Sequence, residues 1–138
     1  LADAASCVHV GNHPAQGMRP IVPGVHATSN GPFDAPWPKV HRLQTVLQDW
    51  AGRDNESLEP LWAALADTRI ATDSELPATG IPIEMERHLS SAFVAGQDYG
   101  TRASTLVLVD HAGHGRIIER RFGPDAVFLG ETTLESGH

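Results

Sequence analysis

One cysteine, Cys7, is all the chain has, so it can form no internal disulfide and no multi-cysteine zinc site. Long hydrophobic runs are missing as well. Nothing approaches the ~20 apolar residues that span a bilayer, and there is no signal-peptide pattern. Together these absences point to a reducing, cytoplasmic setting with no membrane span. Positive charge is scarce: Lys and Arg total 10 against 17 Asp and Glu, for a formal charge of −7. Such a chain repels phosphate backbones unless its cations cluster. The one cluster, Arg116, Arg120 and Arg121 with Glu119 among them, reads as a solvated sheet face, so nucleic acid is not an expected partner. An initiator methionine is lacking too. The chain opens on LADAASCVHV and enters a strand-like run almost at once, the pattern of a fragment.

What is present suits one soluble domain. A compact domain of 138 residues buries roughly 70% of its unfolded surface and needs no staples. Ser6 to Val10 alternates like a short strand and runs into the turn signal at Gly11 to Pro14. Pro20, Pro23 and Gly24 then allow only short extended pieces. From Pro38, the residues Val40, Leu43, Val46, Leu47 and Trp50 fall at helical spacing, and Gly52 marks a stop. A second helix is predicted from Ser57 as N-cap, with Leu58, Leu61, Trp62 and Leu65 inward. A third starts near Pro82, with Met85, Leu89, Ala92 and Phe93 on one face and Glu84, Glu86, Arg87 and His88 on the wet side. The run TLVLV, Thr105 to Val109, reads as a strand covered on both faces. DHAGHG makes a hairpin loop, RIIERRF returns, and GPDA turns into VFLGETTLE. The order predicts a layered α+β fold.

The stretch HATSNGPFDAPWPKV carries three prolines and a tryptophan just ahead of the first helix. With ELPATGIPIEMERHLSSAF and DYGTRASTLVLVD, it resembles the NRDE family, also called transport and Golgi organisation protein 2. That family shows Gly-Leu-Ser-Asn before a Pro-Trp-Lys helix start, Leu-Pro-x-Thr-Gly before a helix, and Tyr-Gly-Thr-Arg-x-Ser-Thr entering a strand. All three occur here in order, across most of residues 21–122. Thr28 replaces the family's leucine. The Met-Cys start and the Asn-Arg-Asp-Glu motif are absent, and Cys7 has no matching context.

The resemblance implies residues 1–138 as a single domain or a C-terminal half-domain, part of a four-layer α-β-β-α sandwich of the N-terminal nucleophile hydrolase kind. The missing N-terminal segment or a second copy is then an expected partner. In that class a chain-terminal Cys, Ser or Thr attacks an amide, with its own α-amine as base. Leu1 offers no nucleophile, so this chain alone is expected to be inactive. The resemblance also admits a second reading, a module for haem trafficking or for binding an acyl ligand.

Four site residues follow. Asn30, in SNGPF, resembles the Thr-Asn pair of bile-salt hydrolases that supplies an oxyanion-hole amide. A turn in which Asn30 bonds its own backbone fits the same residues. Arg102 precedes a strand, where it would be partly desolvated and in need of an anion. A pocket role, implied by the resemblance, and a plain ion pair are the alternatives. His26 is the first candidate ligand if haem binds. Trp37 is a core residue or a wall of a ligand cavity. His111 and His114 share a hairpin loop without a carboxylate or cysteine to complete a metal set, so no metal site is expected there.

Overall fold

The computed structural model describes residues 6–12, 16–29, 31–53 and 57–137. A small hairpin pairs β1 (Val8–Gly11) with β2 (Gly17–Pro20). Three helices follow: α1 (Pro38–Ala51), α2 (Glu59–Leu65) and α3 (Ile83–Leu89). A meander of β3 (Ala103–Val109), β4 (Gly115–Phe122) and β5 (Phe128–Ser136) closes the chain, antiparallel throughout with β4 in the centre. The fold is α+β. No helix among the described residues is long and apolar enough to cross a membrane.

The α1 bounds match the sequence pattern. Pro38 occupies the first turn, where no amide donor is needed, and the Gly52 amide closes the far end on the Gln48 carbonyl. In α2, Leu58 takes the N-cap position expected of Ser57, and the Ser57 hydroxyl meets the Glu59 amide only at 3.4 Å. Leu61 and Trp62 are buried as expected. Asp67, just past α2, lies between Arg42 of α1 and Arg69, whose bonds hold its carboxyl down to about 2.

The core draws on α1, α2 and one face of the meander, with Val40, Leu61, Trp62 and Ile118 all buried. Arg120 of β4 lies over the Trp62 ring at 4.1 Å while bonding Glu131 of β5 at 2.8 Å. Phe93 meets Phe122 edge-on at 4.9 Å, beside buried Ile118. The other sheet face differs from expectation. Val107, Ile117 and Leu134 align across the three strands, and all three are exposed, Val107 at 64% and Leu134 at 63%. The apolar run of β3 therefore has one covered face and one open one.

A second correction concerns α3. It stops at Leu89, so Ala92 and Phe93 lie beyond it. Two neighbours on it are also exchanged, while Leu89 stays inward and Glu84 and His88 stay exposed. Met85, expected inward, is 48% exposed, and Glu86, expected on the wet side, is 7% exposed. The reason lies in the preceding loop, where Thr79 offers both its amide and its hydroxyl to the Glu86 carboxylate. A carboxylate so bonded can be covered, whereas Met85 finds no comparable partner surface.

The DYGTR segment closes a tight loop. The Thr101 amide donates to the Val94 carbonyl at 2.8 Å, and the Thr101 hydroxyl accepts from the Val94 amide at 3.0 Å. Gly96 and Gly100 lie inside this closure, with no room beside them for a side chain.

Candidate functional site

The proline-rich loop is fixed at its base by Asp34. The Asp34 amide donates to the Ala27 carbonyl at 2.8 Å, and the Ala27 amide donates back to Asp34 Oδ1 at 2.7 Å. Gln44 of α1 donates to the same oxygen at 3.0 Å, which binds the loop to the helix. Asp34 has φ of 56°, a left-handed conformation that Asp tolerates better than most side chains. Phe33 beside it joins the small hairpin to the loop: His9 of β1 lies 4.6 Å away and Arg19 of β2 stacks at 4.2 Å.

His26 completes the clamp and is occupied by it. It donates through Nδ1 to Asp34 Oδ2 at 2.7 Å and through Nε2 to the Val22 carbonyl at 3.0 Å. Both partners are acceptors, so the two bonds are made together only when both ring nitrogens carry protons. The bond to Asp34 raises the His26 pKa above its ordinary 6.5 and lowers the Asp34 pKa below 3.8. A haem or metal ligand needs a free ring lone pair, so His26 would have to give up the Val22 carbonyl or Asp34 to serve as one.

The clamp's pH dependence follows from those directions. The His26 contribution is fully present below pH 6.5 and is lost as pH rises through the raised folded value. The Asp34 contribution is present above 3.8 and is lost as pH falls through the lowered folded value. The clamp is therefore firmest between those limits. Imidazole shifts followed by NMR should titrate above 6.5 for His26 and return toward the ordinary value in Asp34→Asn. A wild-type His26 titrating at or below 6.5 would contradict the paired geometry.

The loop leads into a cleft. A Cβ placed on Gly31 would stand 2.5 Å from the Trp37 indole, so the glycine backbone packs directly on that ring. Trp37, at the N-cap of α1, then forms one wall of a cavity of about 360 Å³. Pro38 and Lys39 continue that wall. Ala71, Pro77, Thr79 and Ile81 also line it, as do Glu86 and Leu89 of α3 and Ser90 at its end.

Each part of the cleft is tied in place. Lys39 Nζ donates to the Leu89 carbonyl at 2.7 Å, joining α1 to the end of α3. Buried Ser90 donates to the Arg87 carbonyl at 2.7 Å and accepts the Ala71 amide at 2.8 Å. Glu86 holds the Leu76–Gly80 segment through Thr79, and those bonds keep its carboxyl below the usual glutamate range. Ala78, at φ 51°, takes a left-handed conformation between Pro77 and Thr79. A non-glycine residue there is strained, and such strain is often kept at binding sites. Burial lowers the Lys39 pKa from its ordinary range.

Of the expected site residues, Trp37 lines this cleft. Asn30 lies outside the described residues, so its separation from Arg102 is likewise outside them. Arg102 is exposed and does not line the cleft. Its guanidinium donates to the carbonyls of Gly123 at 3.0 Å and Gln97 at 3.2 Å, with no carboxylate in ion-pair range among the described residues. The expectation of a partly desolvated arginine in need of an anion therefore does not hold. Neutral carbonyls at two loop ends receive it. His111 and His114 lie in an exposed turn, where His114 bonds Asp110 at 2.8 Å.

Lys39, Glu86 and Ser90 were missed in the sequence as site residues. The signal was available: Lys39 belongs to the Pro-Trp-Pro-Lys segment, and Glu86 follows Leu-Pro-Ala-Thr-Gly by six residues.

Comparison with known proteins agrees with these segments. The chain matches the Transport and Golgi organisation 2 family over residues 1–124. It is 28% identical over 124 residues to the Transport and Golgi organization protein 2 homolog of Bos taurus, covering 83% of this chain and 45% of that protein. The chain thus spans about half the length of the curated relative it matches. With a family match over most of its length, and two of the three landmark segments forming one cleft, the chain belongs to the Transport and Golgi organisation 2 family.

Proposed function

We propose that this chain supplies the ligand-holding part of its family's fold, and that the cleft beside Trp37 takes the acyl portion of a small molecule. The observation that carries this reading is the cavity itself. Its 360 Å³ falls in the range of small-molecule sites, and its mostly apolar walls hold a few fixed polar groups. The open face of the meander supports a place for this chain within a four-layer sandwich, where a second sheet would cover Val107, Ile117 and Leu134. The single cysteine supports a reducing, cytoplasmic setting.

Amide hydrolysis is the second reading, favoured by the braced loop. The Ala27–Asp34 pair fixes both ends of the segment that contains Asn30, and Gly31 rests on the ring that lines the cleft. In this reading the Asn30 amide donates to the oxygen of a tetrahedral intermediate, and the nucleophile comes from elsewhere in a longer protein. In the same reading Arg102, with two of its five donors on carbonyls, keeps N–H groups for a ligand.

Octanamide tests both readings, being a neutral acyl amide. Titrated into the 138-residue chain, it should shift the NMR signals of the Trp37 indole, Thr79 and Ser90 in a saturable way. Glu86→Ala, which frees the Leu76–Gly80 wall, should weaken that binding about tenfold by removing preorganisation. Shifts absent from these residues, or centred on the Asp110–Gly115 turn, would remove the cleft from consideration.

A further inference from the structure

Resting on the acyl-cleft reading, we infer that the cleft selects ligands whose acyl chain ends in a carboxylate, with Lys39 as the group that receives it. The ammonium of Lys39 is half-buried and bonded to a single neutral carbonyl, that of Leu89. No carboxylate stands within ion-pair distance of it among the described residues. A covered cation without a counter-charge is costly, and an anionic head entering beside it removes that cost.

The two carboxylates that also line the cleft are already engaged. Glu86 accepts from the Thr79 amide and hydroxyl. Glu75 accepts from the Thr72 amide at 3.0 Å and hydroxyl at 2.7 Å. Neither bonds Lys39, and their charges disfavour a dianion in the same space. One ammonium, with no arginine among the residues that line this cleft, fits a singly charged head better than a phosphate. The start of α1 adds to this. Trp37 provides no side-chain cap, and the first turn holds no acidic residue, so the positive end of the helix dipole is left uncompensated at the cleft. Trp37, Pro77, Ile81 and Leu89 then offer an apolar path for the tail.

Four probes of equal chain length decide the matter: octanoate, octanamide, octylamine and octyl phosphate, each titrated by calorimetry and NMR. Octanoate should bind at least about tenfold more tightly than octanamide, the value of a charge-assisted bond over a neutral one. Its binding should raise the Lys39 ammonium pKa, read from the side-chain carbon shifts. Lys39→Met should erase the difference between octanoate and octanamide, and Lys39→Arg should keep part of it.

Equal binding of octanoate and octanamide overturns the carboxylate preference while leaving the acyl cleft standing. Tighter binding of octyl phosphate or octylamine also overturns it. If none of the four binds, both readings fall. Should Lys39→Met fail to fold, the wild-type affinity ratio and the Lys39 titration still decide the question.

Discussion

If the longer protein hydrolyses amides as the second reading has it, Asn30→Ala is expected to lower that hydrolysis about 10²-fold or more while leaving its fold intact. That is the typical loss when one oxyanion-hole donor is removed from a hydrolase. The structural ground is the bracing on either side of the residue, since Asp34 ties back to Ala27 and Gly31 packs on Trp37. A donor on such a loop needs no reorganisation as charge develops. The measurement is turnover of an acyl amide such as octanamide, with circular dichroism confirming the fold. A variant with unchanged turnover would leave the loop as a helix start and nothing more. Loss of turnover together with loss of the fold would mean that Asn30 serves its own turn. Asp34→Asn is a useful companion, because it loosens the loop without touching Asn30 and should lower turnover less.

Gly96→Ala and Gly100→Ala should be the most destabilising of the glycine substitutions, by about 1–3 kcal/mol each, the range for forcing atoms into packed space. A Cβ on Gly96 would stand 2.4 Å from the Tyr99 carbonyl oxygen, and one on Gly100 would stand 2.7 Å from that of Val94. Both obstacles are backbone, so a side-chain rotation cannot relieve them. The Thr101–Val94 bonds close the same loop and would have to open. Urea unfolding monitored by tryptophan fluorescence reads the effect as a lowered midpoint at constant slope. By contrast, alanine at Gly17 or Gly113 meets nothing within 4 Å. Gly17 is the better control, because Gly113 has φ of 88° and strains any side chain placed there. A Gly100→Ala midpoint equal to that of Gly17→Ala would contradict the closure.

The helices and the meander were legible in the sequence because local signals agreed there. Pro38, Gly52 and the spacing from Val40 to Trp50 all specify one helix, and α1 has those bounds. The GPDA turn separates β4 from β5 as its residues imply. The exchange of Met85 and Glu86 was not legible, since Glu86 is covered only because Thr79 reaches it from a loop seven residues away. Periodicity sees one helix at a time and knows nothing of such a partner. The open face of β3 failed for a related reason. A continuous apolar run tells that both faces suit burial, not whether anything lies on them. At the site, Trp37 was legible as a cavity wall from its place in the stiff loop. Lys39 was passed over despite its place in the same segment, because a lysine in the first turn of a helix normally reads as solvated. For Arg102 the sequence suggested an anion as partner, and two carbonyls, of Gln97 and Gly123, take that place.

The position of β4 between β3 and β5 has a consequence for amide exchange with deuterated water. Every β4 amide inside the ladder has a strand beside it, whereas β3 and β5 each direct alternate amides to an unpaired edge. Protection along β3 and β5 should therefore alternate residue by residue, like the teeth of a comb, while β4 stays uniformly slow. A sheet settling on Val107, Ile117 and Leu134 would slow the protected teeth and leave the gaps open. A strand joining either edge would fill the gaps instead. The exchange pattern thus tells stacking from edge pairing, without knowing what polypeptide does the covering.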